Sequence, residues 1–195
     1  MHPYSINSHE RRSLPFYLAG VSILFAFGLK YLVDIPDWLP IPSVFAAYGV
    51  SYTLFDKVLW KLNILRKIGL IKTPDLNGTW KMVTTSSLNN HTIEYIGRLK
   101  IEQTWTHISL YFEGSNATSS SKISWITITN NSIYTLEWQY LSKRKPEFAE
   151  DEYMHYGITK VQSDGFDIVD DCMEGDYYTD RSRDKYGRVK VIREK

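Results

Sequence analysis

A single cysteine, Cys172, is present in 195 residues, so no disulfide can form within the chain, which suits a reducing compartment. No His or Cys cluster has zinc spacing, and no acidic run matches a calcium loop. An excess of positive charge is also missing. The chain nets +1, and from Leu76 onward 15 Lys and Arg face 17 Asp and Glu, a balance that argues against a nucleic-acid binder. His91, His107 and His155 stand alone without a nucleophile partner, and Cys172 has no His nearby in sequence. The acidic series Asp164, Asp167, Asp170, Asp171, Glu174, Asp176 and Asp180 contains neighbours that alternate between two faces of a strand, as a solvated surface does. No catalytic constellation emerges, and neither an enzyme nor a cofactor is expected.

What the chain does have is an uneven distribution of apolar residues. Two apolar stretches, Leu14 to Val33 and Leu39 to Leu59, precede a remainder of short polar and apolar alternation. The first is twenty residues long, about the thickness of a bilayer when helical. It is too long for the core of a cleavable signal peptide. The second starts among Pro40 and Pro42, as helices do. Arg11 and Arg12 before the first stretch, and Lys57, Lys61, Arg66, Lys67 and Lys72 after the second, predict both termini on the cytoplasmic side. The expectation is therefore a two-helix transmembrane hairpin over 14–60, after a cytoplasmic tail over 1–13, in the cell inner membrane with the lipid bilayer as a partner. No charge lies mid-span, which disfavours an ion channel. The small-residue pairs Ser22 with Ala26 and Ala47 with Ser51 would let the helices approach closely. A basic connector follows over 61–75. Four Asn-x-Ser/Thr triplets are not read as glycosylation sites, because a cytoplasmic domain never meets that machinery.

From 76 to 195 turn signals recur at short spacing, and the segments between them read as strands: Gly78 to Thr85, Ile93 to Gln103, Trp105 to Glu113, Ser119 to Thr129, Ile133 to Leu141, Tyr153 to Val161, Phe166 to Cys172, Gly175 to Thr179 and Arg188 to Arg193. The predicted domain is all-β: an antiparallel up-and-down β-barrel of about eight strands, lipocalin-like, with an open sandwich as the competing fold. Alternation puts Arg98, Lys100 and Glu102 outside, and Trp125, Trp138, Tyr140, Tyr153 and His155 inside. That interior is rich in rings and poor in leucine, and a barrel of this size can hold one small ligand. Asn77-Gly-Thr-Trp80 supplies the Gly-x-Trp that opens lipocalin-type barrels, with Arg188 or Arg193 placed to stack on the Trp80 ring.

Leu76-Asn-Gly-Thr-Trp-Lys at the head of the β region, Glu174-Gly-Asp-Tyr-Tyr-Thr-Asp-Arg near its end and Tyr186-Gly-Arg-Val after it, together with the hairpin and basic connector, resemble a known family. These are the two-transmembrane, β-strand-rich effectors of bacterial cyclic-oligonucleotide antiphage signalling (CBASS), membrane effectors associated with a CD-NTase. The resemblance implies a partner nucleotidyltransferase that makes a cyclic dinucleotide, a barrel that binds it, a homo-oligomer on activation, and disruption of the inner membrane that kills the infected cell.

Two bases and two phosphates call for aromatic faces and a few Arg or Lys donors. Tyr177, Tyr178, Arg181, Arg183 and Arg188 supply both within one segment, and Tyr140 and Tyr153 can stack from neighbouring strands. The expected ligand-binding residues are thus Tyr140, Tyr153, Tyr178, Arg181 and Arg188, with no metal. Two other functions fit the same sequence: a membrane-anchored lipocalin-like carrier of an apolar ligand, and a scaffold that recruits a protein partner.

Overall fold

A computed structural model of the protein describes residues 1–32, 44–87, 93–129, 133–148, 154–163, 172–181 and 185–194. The chain divides into two compact units, one of residues 1–7 with 74–195 and the other of residues 8–73.

The smaller unit is helical. Helix α1 spans Glu10–Leu32 and α2 spans Val44–Lys57; a 3-10 turn, Leu59–Lys61, and the short α3, Asn63–Lys67, follow. Helices α1 and α2 pack on each other, and the small residues Ser22, Ala26 and Ala47 are buried in this unit. The buried Glu10 carboxylate accepts hydrogen bonds from the Lys72 backbone N–H and the Thr73 hydroxyl, tying the start of the unit to its end. Trp60 is fully buried, with the Arg66 guanidinium and the Lys61 ammonium each 5.8 Å from its ring. Elsewhere the helices expose large apolar side chains, among them Phe16, Leu24, Phe45 and Val50.

The expected two-span hairpin and its inner-membrane placement are corrected here. Among the described residues, no helix is long and apolar enough to cross a membrane. Helix α1 opens on Glu10, Arg11 and Arg12, and α2 has 14 residues, about 21 Å of rise against a hydrocarbon core of about 30 Å. The loop that was to join the spans lies outside the described residues.

The larger unit is a closed sheet of nine strands: β1 (His2–Ile6), β2 (Gly78–Thr85), β3 (Glu94–Gln103), β4 (His107–Gly114), β5 (Ala117–Ile128), β6 (Tyr134–Arg144), β7 (Met154–Ser163), β8 (Cys172–Thr179) and β9 (Tyr186–Arg193). Strands β2 to β9 pair with their sequence neighbours, all antiparallel, and β9 returns to β2.

The expected eight-stranded up-and-down barrel is corrected by β1. This strand comes from the far N-terminus and lies between β4 and β5, antiparallel to the first and parallel to the second. Nothing in residues 2–6 marks it as a strand, because only Tyr4 of the five is buried. The expected strand from Phe166 to Cys172 falls outside the described residues up to 171, and Cys172 instead opens β8.

Strand β1 fills a real gap. Strands β4 and β5 pair only over Tyr111 to Glu113 and then part. At the parting point the Ser121 hydroxyl accepts the Leu110 N–H and meets the His2 ring at 2.8 Å, beside a bulge in β5 between Ser121 and Ile123. At the other end of β1 the Asn7 side chain donates to the Ile128 carbonyl and accepts its N–H, as a strand neighbour would. Tyr4 reaches the core, where its hydroxyl meets Gln103 Nε2 at 3.1 Å.

The apolar core fills one end of the closed sheet: Trp80, Leu99, Ile101, Ile108, Leu110, Ile126, Leu136, Val161, Met173 and Val191 are all essentially inaccessible. Trp80 donates its indole N–H to the Leu76 carbonyl, and Arg193 rather than Arg188 stacks on its ring. Trp125 is half buried on the face opposite Ile126, not inside as alternation had it, because the bulge resets the parity of β5.

Candidate functional site

Five strands carry inward series that change character in the same direction. On β6 the series runs Leu136, Trp138, Tyr140, Ser142, Arg144; on β7 it runs Val161, Thr159, Gly157, His155. On β8 it is Met173, Gly175, Tyr177, Thr179; β2 gives Trp80, Met82, Thr84 and then Ser86, and β9 gives Val191, Val189, Gly187 back to Lys185. Since a strand shows every second residue to one face, each series climbs from the packed end toward the other end of the sheet. The interior is apolar below and polar, with charge, above.

The upper part is open. A cavity of about 560 Å³ lies there, within the usual range for small-ligand sites. Its rings are Tyr95, Phe112, Trp138, Tyr140 and Tyr177; its hydroxyls include Thr84, Ser86, Ser119, Ser142, Thr159 and Thr179; its charged or titratable lining is Arg144, Lys185, Glu147 and His155. Tyr140 and His155 meet edge to face, with ring centroids 6.4 Å apart. Lys185 is held by a backbone clasp: its N–H donates to the Thr179 hydroxyl at 2.9 Å, and its carbonyl accepts the Thr179 N–H at 2.8 Å.

Three of the rings lie flat against the wall, and glycine makes this possible. A Cβ on Gly157 would stand 2.3 Å from the Tyr140 hydroxyl oxygen, and one on Gly97 would stand 2.4 Å from the Phe112 ring. One on Gly187 would come within 2.8 Å of the Tyr177 ring and 1.7 Å of the Thr85 carbonyl. In each case a ring on one strand covers a glycine on the next, the pairing known as aromatic rescue. The rings thereby present a face to the cavity rather than an edge.

Of the expected ligand-binding residues, Tyr140 lines the cavity. Tyr153 lies outside the described residues. Tyr178 is on the outer face of β8, 57% exposed, Arg188 is exposed on the outer face of β9, and Arg181 is exposed in the turn after β8. The five are therefore not brought together. The cavity instead takes its cations from Arg144 and Lys185, which the sequence reading passed over although they continue the inward parity of Trp138 and Val191. The outward assignment of Arg98 agrees with its side-chain exposure of 69% and its loose ion pair with Glu194. Glu174 and Asp176 of the acidic series are exposed, and Asp164, Asp167, Asp170 and Asp171 lie outside the described residues. Among the described residues no three His, Cys, Asp or Glu side chains are grouped to hold a metal.

Two comparisons with known proteins bear on this cavity. CD-NTase-associated protein 15 of Yersinia aleksiciae is 29% identical over 187 residues, which cover 91% of this chain and 86% of that protein. Residues 71–193, which hold β2 to β9 and every residue that lines the cavity, match the family described as Cap15, cyclic dinucleotide receptor domain. The chain belongs to the Cap15 cyclic dinucleotide receptor family.

Proposed function

We propose that this protein is the receptor and effector of a CBASS antiphage system, and that a cyclic dinucleotide made by a partner nucleotidyltransferase occupies the cavity at the polar end of the closed sheet. The observation that carries this reading is the graded interior, which ends in two cations on different strands, Arg144 and Lys185, above rings that lie flat on glycine. Such a site suits a ligand with two phosphates and two bases. Each phosphate takes a charge-assisted hydrogen bond from a cation, and the bases stack on Tyr140, Tyr177 or Phe112. Hydroxyls around the wall take the sugar and base edges. A carrier of an apolar molecule has no use for two cations and a wall of serine and threonine, which favours the nucleotide.

Occupation of the cavity is the signal in this reading, and association of several copies is the response that leads to abortive infection. Apolar side chains exposed on the helical unit support association, because contiguous surface of this kind marks interaction sites. Titration calorimetry of the full chain against a panel of cyclic dinucleotides tests the proposal. Binding of at least one member, weakened by added salt, is expected. A folded protein that binds no member of the panel overturns it.

A further inference from the structure

The strand that completes the closed sheet is the one strand that is not continuous with it in sequence. Between β1 and β2 runs the whole helical unit, residues 8–73, and only Ser8 and His9 separate the Asn7 clasp from Glu10, the first residue of α1. The seat of β1 is a slot with its own fittings: two antiparallel pairs to β4, three parallel pairs to β5, the Ser121 hydroxyl at one end and the Ile128 backbone at the other. Without an occupant, β4 below Tyr111 and β5 beyond Ser121 would each present an unpaired edge.

We infer that the seam between β4 and β5 is an interface between copies of this chain, in which β1 of one copy occupies the seam of a second. Every copy carries the same slot and the same strand, so the exchange replaces each contact by an identical one and its cost is confined to the two-residue link and the association itself. The seated β1 defines what the slot accepts: an extended segment with a tyrosine directed into the core and an asparagine as a terminal clasp. This inference does not require the cavity to hold a nucleotide.

Disulfide trapping tests it in the full chain with Cys172→Ser as background. The exposed residues Pro3 and His107 are register partners, as are Ser5 and Trp125. Chains with Pro3→Cys are mixed with chains that carry His107→Cys, and Ser5→Cys with Trp125→Cys, the two members of each mixture differing in mass. A disulfide between unlike chains, in a yield that rises with protein concentration, is expected. A chain with Lys160→Cys, on the outer face of β7, serves as the collision control. The inference is overturned if double variants close the disulfide within one chain while the mixtures give no cross-chain product at any concentration, with or without cyclic dinucleotide. It is equally overturned if the Lys160→Cys chain is captured as efficiently, or if no disulfide forms in either arrangement, since β1 then does not occupy the seam. All these outcomes leave the calorimetric titration of the cavity unaffected.

Discussion

The Arg193 guanidinium lies 4.5 Å from the centroid of the Trp80 ring and donates from Nη2 to the Asp75 carbonyl at 2.8 Å. The pair thus seals the packed end of the sheet, joining the last strand to the first strand of the meander and to the segment that leads into it. Arg193→Ala removes a cation-π contact and a charged hydrogen bond and is expected to destabilise the protein by about 2 kcal/mol. Arg193→Lys, which keeps the charge without the planar fork, recovers only part of this. Urea unfolding midpoints measure both.

Gln103 is buried at the same end and satisfies three partners. Its Oε1 accepts the Leu76 N–H, and its Nε2 donates to the Tyr4 hydroxyl and the Pro74 carbonyl. Gln103→Leu preserves volume but leaves the fully buried Leu76 N–H unpaired, at a cost of about 1–3 kcal/mol. Thermal denaturation should show the loss, and an unchanged midpoint would mean that Leu76 finds another acceptor.

Gly157 and Tyr140 should be separable in their effects. Gly157→Ala pushes the Tyr140 ring off the wall at a cost of roughly 1–3 kcal/mol in stability. The displaced ring can no longer stack as before, so affinity for the cyclic dinucleotide should fall roughly tenfold, about 1.4 kcal/mol. Tyr140→Ala should lose a comparable affinity without the strain.

The cavity cations should matter where the outward arginine does not. Arg144→Ala and Lys185→Ala are each expected to weaken binding by about 10- to 100-fold, in line with a charged hydrogen bond worth about 1.5–3 kcal/mol. Either substitution should also flatten the dependence on salt. Arg188→Ala, outside the cavity, should stay within roughly twofold of the unaltered protein. The reverse ranking would move the site to the outer face of β8 and β9.

On that outer face Lys190 donates to Glu174 at 2.6 Å, a bond that raises the lysine pKa, as do Cys172 and Glu174 through their charges. With a raised folded-state value, any stability from this group is complete below the ordinary lysine pKa of about 10.4 and is lost as pH rises through the folded value. Lys190→Ala should therefore leave the pH profile between about 6 and 9 unaltered, and both groups are so exposed that no change of midpoint is expected.

Turn signals and alternation made most of the sheet legible. Gly78–Thr85 appears with its ends where the sequence put them, and β3 to β7 and β9 differ by a few residues at their ends. Trp80 with Arg193 was legible as well, because Gly-x-Trp and a late arginine suffice to propose a stacked pair. The site was legible only as a kind of interior, aromatic and hydrogen-bonding, with Tyr140 as its one located member. Clustering of Tyr178, Arg181 and Arg188 along the chain pointed to the wrong face, since adjacent positions on a strand diverge and only every second residue shares a surface.

The apolar stretches at the N-terminus were read by length alone, and length did not determine where helices start and end. Charges and Pro15 fall inside α1, and α2 is confined to 14 residues.

By itself the sequence determined the periodicity of β2 to β9, the outward charges and the apolar-to-polar grading along each strand, because these depend only on the two-residue repeat of a strand. The tertiary structure decided which series face one another across the interior and which rings find a glycine beside them. It also decided that residues 2–6 complete the sheet. Those are pairings between residues far apart in the chain, such as Ser5 with Trp125, and no local pattern specifies them because their stability comes from the partner strand and not from neighbours in sequence.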